Sequence, residues 1–172
     1  MNWAGPLEDQ TRRLLSKIVA PAAGVATQAV TIARPRATVE RFWRDPDNLS
    51  AVLDGIAQVT ATDSDRLTWS FAEGTAAATQ WVTHTVVAAD EIRFVGSHDS
   101  AGRSQIRLLF ADAPKDLGTE VTIRVAGPLP KQLTAPAAFT ALYRARALLQ
   151  TGEAPTLAHN PSGRRDAADQ EA

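Results

Sequence analysis

The chain has 172 residues, with 18 lysines and arginines against 19 aspartates and glutamates, which gives a net charge of -1. This length suits one domain with a real core, and the balanced, interspersed charge argues against nucleic acid as the main partner because phosphate binding needs a basic face. The chain contains no cysteine, which excludes disulfides, thiolate catalysis and cysteine-based metal sites.

The first predicted element is an amphipathic helix over residues 6–20. Its apolar residues are Leu7, Leu14, Leu15, Ile18 and Val19, and two of them, Leu14 and Ile18, lie one turn apart on one stripe. Pro6 suits the first helical position, and acidic residues precede basic ones in the order that the helix dipole favours. The PAAG sequence at residues 21–24 ends the helix. We therefore interpret residues 1–25 as an amphipathic helix with a linker.

One strand followed by two short helices is predicted for residues 27–53. Val30 and Ile32 alternate with a threonine in TQAVTIAR, which indicates a strand. The first helix follows a proline and has apolar residues at i, i+3 and i+4, namely Val39, Phe42 and Trp43. The second begins at Asp45 and Pro46, because the carboxylate suits the capping position and proline suits the first turn.

From about residue 57 to residue 126 the apolar pattern has period two, which predicts an antiparallel meander of strands. Leu67, Trp69 and Phe71 share one face of the clearest strand. Similar runs occur at residues 81–87, 92–95, 106–110 and 121–125. Turn-forming sequences separate them, among them TDSD, AADE and APKDLG.

The last predicted helix is the longest. Its apolar residues Ala138, Leu142, Ala145 and Leu149 recur at helical spacing, and Gly152 stands where a glycine ends a helix. A curved antiparallel sheet has one apolar face to cover, and this helix is the amphipathic element that follows it. We predict an α+β fold in which about six to seven strands curve around this helix. We predict that this domain spans residues 26–153 and that residues 154–172 form a polar, disordered tail.

Four stretches carry a resemblance to a known superfamily: VTIARPRATVERFWRDPDNLSAVL at residues 30–53, LTWSF with Trp81 downstream, LGTEVTIRV at 117–125, and LLQTGEAPT with PSGRR near the end. In order and spacing they resemble the START-like, Bet v 1-like (SRPBCC) superfamily, and within it the bacterial polyketide cyclase/dehydrase group. The resemblance spans roughly residues 28–165. It implies a helix-grip fold with a cavity between the sheet and the final helix. The segment before that helix is shorter than in the family, so ligand size does not carry over.

Seven residues are candidates for contact with a ligand in that cavity: Trp69, Phe71, Trp81, Phe94, Phe110, Leu142 and Leu149. Aromatic residues also favour strands simply because they pack well there, so a filled core is the competing interpretation. Small side chains at Ala138, Ala141 and Ala145 would leave space under the helix, although alanine is also the best helix former.

Two residues are candidates for catalysis, His84 and Arg146. An inward-facing His84 would act as an acid or base near neutral pH, whereas an outward-facing one would be a surface residue. Both faces of its strand carry apolar residues, so the pattern leaves the two orientations open. Arg146 lies one turn after Leu142 and would stabilise negative charge in a cavity, or else extend along the surface.

Three functions follow from these observations. The first is binding of a small hydrophobic or aromatic molecule, lipid-, quinone- or polyketide-like, between sheet and helix. The second is a polyketide cyclase or aromatase activity, of the cyclase/dehydrase kind, in the same cavity. The third is an interaction module that acts through residues 6–20, on the chain's own sheet, on a second copy in a homodimer, or on an anionic membrane surface.

No metal and no cofactor are expected. The three histidines, His84, His98 and His159, have no ligand-like spacing, and the chain has no phosphate-binding loop, dinucleotide fingerprint or nucleophile elbow. No stretch approaches the roughly 20 apolar residues of a membrane span, so stable membrane insertion is not expected. The N-terminus lacks the features of a secretory signal, which makes the cytoplasm the expected location.

Overall fold

The computed structural model describes residues 26–98 and 103–153. The elements of this part are β1 (Ala26–Ile32), α1 (Arg36–Arg44), α2 (Pro46–Val52), β2 (Ala57–Ala61), β3 (Arg66–Phe71), β4 (Thr79–Ala88), β5 (Glu91–Gly96), β6 (Gln105–Asp112), a 3-10 turn (Pro114–Asp116), β7 (Thr119–Ala126) and α3 (Ala135–Thr151). The helix predicted at residues 6–20 and the tail predicted at 154–172 lie outside the described residues.

The seven described strands form one antiparallel sheet in the order β1-β7-β6-β5-β4-β3-β2. Strands β2 to β7 pair with their neighbours in sequence, and β1 returns to pair with β7. The sheet curls into a half-barrel. The predicted α+β helix-grip fold, with two short helices after the first strand, is confirmed.

Helix α3 lies against the concave face of the sheet and packs along β1. Its buried side is formed by Ala137, Ala138, Ala141, Leu142 and Ala145. Thr134 caps its start, since the hydroxyl oxygen accepts a hydrogen bond from the amide of Ala137 at 3.4 Å. Its end follows the sequence prediction, because Gly152 adopts φ 79° and donates to the carbonyl of Leu148 at 2.9 Å.

Two arginines bind the carbonyl groups at the C-terminal ends of helices, which have no partners within the helix. Arg34 donates from Nε to the carbonyl of Leu149 at 2.6 Å and joins the end of β1 to the end of α3. Arg144 donates from Nη1 to the carbonyls of Val52 at 3.3 Å and Asp54 at 2.6 Å, which joins α3 to the end of α2. A cation at these positions also interacts favourably with the helix dipole.

Ser50 of α2 covers the free edge of strand β2. Its hydroxyl accepts from the amide of Val59 at 2.8 Å and donates to the carbonyl of the same residue at 3.0 Å. Ser50→Ala leaves both backbone groups half-buried without this partner, which we expect to lower the free energy of unfolding by about 1–3 kcal/mol. Urea unfolding measures the loss. Ser64→Ala, in the exposed β2–β3 turn, is the control, and equal losses in the two variants would contradict the assignment.

The outer face of the sheet carries three arginines directly opposite one another on β5, β6 and β7: Arg93, Arg107 and Arg124. Arg107 and Arg124 alternate with buried apolar residues along their strands, and Arg124 is exposed. Arg107 donates from Nε to Glu91, and Arg93 Nε lies 3.9 Å from the same carboxylate oxygen. The hydrogen bond from Arg107 lowers the pKa of Glu91 below its ordinary value and in turn raises the pKa of Arg107.

This ion pair makes stability depend on pH in acid. Because the pKa of Glu91 in the folded protein lies below its ordinary value of 4.5, the ionised carboxylate stabilises the fold above that pH. The contribution is lost as pH falls from 4.5 through the folded-state pKa. We expect Glu91→Gln to be less stable than the natural protein at pH 7, with the difference shrinking in acid. Thermal unfolding across pH measures it, with Glu120→Gln on β7 as the control. A difference independent of pH would contradict the prediction.

Candidate functional site

A small cavity lies between the concave face of the sheet and the first half of α3. Its volume is about 30 Å³, which leaves room for no more than a few water molecules. The sheet contributes two aromatic and four aliphatic side chains to the wall: Trp69, Phe94, Ile106, Leu108, Ile123 and Val125. The two short helices and the turn after α2 contribute Trp43, Leu49 and Leu53. All nine side chains are buried, so the cavity is a part of the core that remains unfilled.

The side of the cavity formed by α3 consists of small residues. Ala137, Ala138 and Ala141 face the aromatic residues of the sheet, and larger side chains at these positions would fill the space. For Ala138 and Ala141 this role is predicted from the sequence, since both are small residues on the apolar face of the helix. Ala145, the third predicted alanine, is fully buried one turn further along the helix but does not line the cavity.

Trp69 is the central aromatic residue of the wall. Its ring meets Phe94 edge to face at 5.3 Å between centroids and Trp81 at 5.6 Å with a tilt of 51°. Its Nε1 donates to the hydroxyl of Thr83 at 2.9 Å, and both groups are buried. Because the only polar atom of the indole is already paired, Trp69 presents an apolar surface to the cavity.

Trp43 is the wall residue with an unused hydrogen-bond donor. Its ring packs edge to face on Phe42, and its Nε1 is buried with no acceptor among the described residues. Burying an N–H without a partner costs about 1–3 kcal/mol. The helical spacing of Val39, Phe42 and Trp43 predicts a buried stripe. It does not place Trp43 at the cavity, because that depends on how α1 packs on α2 and β6.

The cavity is least covered at the segment before α3. Leu133 is half-buried and Thr134 is exposed, whereas the rest of the wall is buried. Thr134 is also the only polar side chain in the wall formed by the described residues. Its hydroxyl oxygen already caps α3. The wall therefore offers no acid, base or charged group.

The structure places the seven predicted ligand-binding residues in two groups. Trp69 and Phe94 line the cavity. The other five pack in the surrounding core without reaching the wall: Phe71, Trp81, Phe110, Leu142 and Leu149. Strand periodicity finds the inward face of the sheet but does not distinguish the residues beside the cavity from those beside filled core.

His84 does not reach the cavity. Thr83 is fully buried and Trp81 packs on Trp69, so the odd-numbered residues here face inward and His84 faces outward. Its Nδ1 lies 3.7 Å from Asp65, and 39% of the side chain is exposed. The interpretation of His84 as an inward acid or base is therefore wrong, because side chains alternate along a strand and the two tryptophans fix which face is buried.

Arg146 is also outside the cavity. It is exposed on α3, and its Nε donates to the side chain of Gln150 at 3.0 Å. The surface alternative of the sequence analysis holds, because the buried stripe of α3 passes through Leu142 and Ala145 and leaves Arg146 beside it. Neither candidate for catalysis lies where it would contact a molecule in the cavity.

A larger groove of about 700 Å³ lies on the surface between the α1–α2 junction and the β2–β3 turn. Its charged residues carry both signs: Arg41, Arg44, Asp45, Asp63 and Asp65. This lining suits water better than an apolar molecule. Within residues 26–98 and 103–153, no cluster of histidine, aspartate and glutamate has the arrangement of a metal site, and no helix combines the length and apolar character of a membrane span.

No protein-family model matches the sequence, and no curated protein matches it. Solved structures do match. The chain is similar to DR_A0006 from Deinococcus radiodurans, with 22% identity, a TM-score of 0.60 and coverage of 75% of this chain and 98% of that one. It is similar to CV1439 from Chromobacterium violaceum, with 18% identity, a TM-score of 0.55 and coverage of 73% and 97%. It is also similar to TTHA0849 from Thermus thermophilus, with 17% identity, a TM-score of 0.55 and coverage of 76% and 99%.

These similarities show the fold. The matched structures combine a curved antiparallel sheet with a C-terminal helix, as this chain does. Each match covers nearly the whole of the solved chain and about three quarters of this one. The class that fold and site define together is a helix-grip protein with an apolar cavity under its C-terminal helix.

Proposed function

We propose that the protein binds a small hydrophobic or aromatic molecule between the sheet and α3. The observation that carries the proposal is the apolar cavity, bounded by aromatic residues of the sheet and by three alanines of α3. Ligand sites for small molecules are mostly apolar with few polar groups. The sequence resemblance to the START-like superfamily, and to its polyketide cyclase/dehydrase group, supports the same class of ligand: lipid-, quinone- or polyketide-like compounds.

The cavity has to widen to admit such a molecule. Sites for drug-sized ligands have volumes of roughly 300–1,000 Å³, about ten times or more the 30 Å³ of this cavity. We place the entrance at Leu133 and Thr134, where the wall is least buried. Outward movement of the segment at residues 127–134 together with the first turn of α3 would separate Ala137 and Ala138 from the aromatic residues.

Binding is favoured over catalysis by the chemistry of the wall. A cyclase or aromatase moves protons, and so needs an acid or base close to the bound chain. Within the described residues the wall has one hydroxyl, that of Thr134, while His84 and Arg146 lie outside. The unpaired N–H of Trp43 would suit a ligand with a carbonyl acceptor, which quinones and polyketides have.

Filling the cavity tests the proposal. Ala141→Leu places three extra carbon atoms at the wall and costs about 1–3 kcal/mol of stability if the core is overpacked. We expect it to abolish binding of a naphthoquinone, measured by quenching of tryptophan fluorescence, since Trp43 and Trp69 belong to the wall. The control is Ala147→Leu, at a half-buried position of α3 away from the cavity. Undiminished binding to folded Ala141→Leu would contradict the proposal.

A further inference from the structure

Two aromatic residues are exposed on the outer side of α3. Phe139 and Tyr143 lie one turn apart, with 58% and 54% of their surface exposed. Their rings are stacked, with centroids 6.5 Å apart and planes within 13° of parallel. Scattered exposed apolar residues are ordinary, but a contiguous aromatic surface indicates an interaction site. We call these two residues the aromatic pair.

The aromatic pair lies on the side of α3 away from α2. Arg144 points towards α2, since it donates to the carbonyls of Val52 and Asp54. At 3.6 residues per turn, Tyr143 is rotated by about 100° and Phe139 by about 140° from Arg144. Helix α2 packs on β2, and β2 and β1 are the opposite edges of the sheet. The aromatic pair is therefore on the β1 side of the helix.

The chain that precedes β1 leaves the fold close to the aromatic pair. Arg34 binds the carbonyls of Leu149 and Gln150, so β1 and α3 run in the same direction and end together. The nine residues from Ala26 to Arg34 span eight steps and extend about 26 Å, whereas the eleven helical residues from Phe139 to Leu149 span ten steps and extend about 15 Å. The first residue of β1 thus lies beyond Phe139, near the first turn of α3.

We propose that residues 6–20 dock as a helix on the aromatic pair of the same chain. This segment carries the apolar stripe Leu14, Leu15, Ile18 and Val19. The five residues at 21–25 reach up to about 17 Å, and a 15-residue helix is about 22 Å long, so the segment can turn back over both rings. A short linker of this kind gives an effective concentration of about millimolar, which favours the chain's own segment over a second copy.

The absence of cysteine from the sequence allows a clean test with the full-length protein. A spin label on Ser16→Cys is expected to remove most of the NMR amide signal intensity of Phe139 and Tyr143. In the triple variant that combines spin-labelled Ser16→Cys with Phe139→Ser and Tyr143→Ser, the amide signals of positions 139 and 143 should keep their intensity. It should persist when Ser16→Cys is combined with Leu117→Ser, which changes a leucine that is 59% exposed elsewhere on the surface.

A mixed sample shows whether the segment that covers the aromatic pair comes from the same chain or from a second copy. Isotope-labelled protein without a spin label is mixed with spin-labelled protein at natural isotope abundance. The proposal predicts undiminished signals in this sample, and signal loss here would assign the aromatic pair to a second copy. Undiminished signals in the spin-labelled chain itself would exclude docking of residues 6–20. Either result overturns this proposal and leaves the proposal of ligand binding in the cavity untouched.

Discussion

Phe94→Ala is expected to destabilise the protein by about 3–5 kcal/mol and, at the same time, to strengthen binding of small apolar molecules. Phe94 is 1% exposed, contacts Trp69 edge to face and lines the cavity. Removing its ring joins a new void to the existing 30 Å³. A void lined by apolar side chains stays dry and accepts apolar ligands. Urea unfolding measures the loss of stability, and a naphthoquinone titration measures the gain in binding.

The matched control is Phe71→Ala. Phe71 is fully buried in the same core but does not line the cavity. Its truncation should therefore destabilise the protein by a similar amount without strengthening binding. If both variants bind the quinone equally, the cavity under α3 is not the binding site.

Gly118→Ala is expected to destabilise the protein by more than about 3 kcal/mol, above the usual cost of a strained backbone alone. Gly118 has φ 110°, and a Cβ atom there would collide with the carbonyl oxygen of Ile32 and lie 2.8 Å from the Cα of Ala33. The close contact sits where β7 begins beside the end of β1. Its neighbour Thr119 donates to the carbonyl of Arg34 at 2.9 Å. The substitution would therefore separate the edge strand from the sheet.

Gly55→Ala separates the two causes of that loss. Gly55 also has a positive φ, 76°, but a Cβ atom there would meet nothing within 4 Å. Its free energy of unfolding should fall by only about 1–2 kcal/mol, which is the cost of holding alanine in the left-handed conformation. Thermal or urea unfolding of both variants gives the comparison. If both variants lose the same free energy of unfolding, the backbone between β1 and β7 can shift to accommodate an added methyl group, and the prediction is contradicted.

The fold could be predicted from the sequence because its elements are marked by local chemistry. Asp45 Oδ1 accepts from the amides of Asp47 at 2.9 Å and Asn48 at 3.3 Å, as a capping aspartate should. Gly152 ends α3 in the left-handed conformation. The strands with strict alternation, such as β3, are buried on the predicted face. These signals depend only on residues that are close in sequence.

The site could not be predicted to the same depth because it depends on contacts between distant elements. The strand of His84 carries apolar residues on both faces, and the pairing of Trp81 with Trp69 settles which face is buried. Strand β2 is short and only two of its five residues are buried, so its sequence does not stand out. Trp43 reaches the cavity through the packing of α1 on α2 and β6, which its own sequence does not mark.

Native mass spectrometry of the protein purified from its own cells, followed by organic extraction, tests the central claim most directly. We expect a stoichiometric apolar or aromatic compound to be bound, and to be absent from Ala141→Leu but retained by Ala147→Leu. The contrary result is an empty protein that also ignores a panel of polyketides, quinones and lipids. That result would mean that the cavity under α3 is a small void in the packed core and not a ligand site.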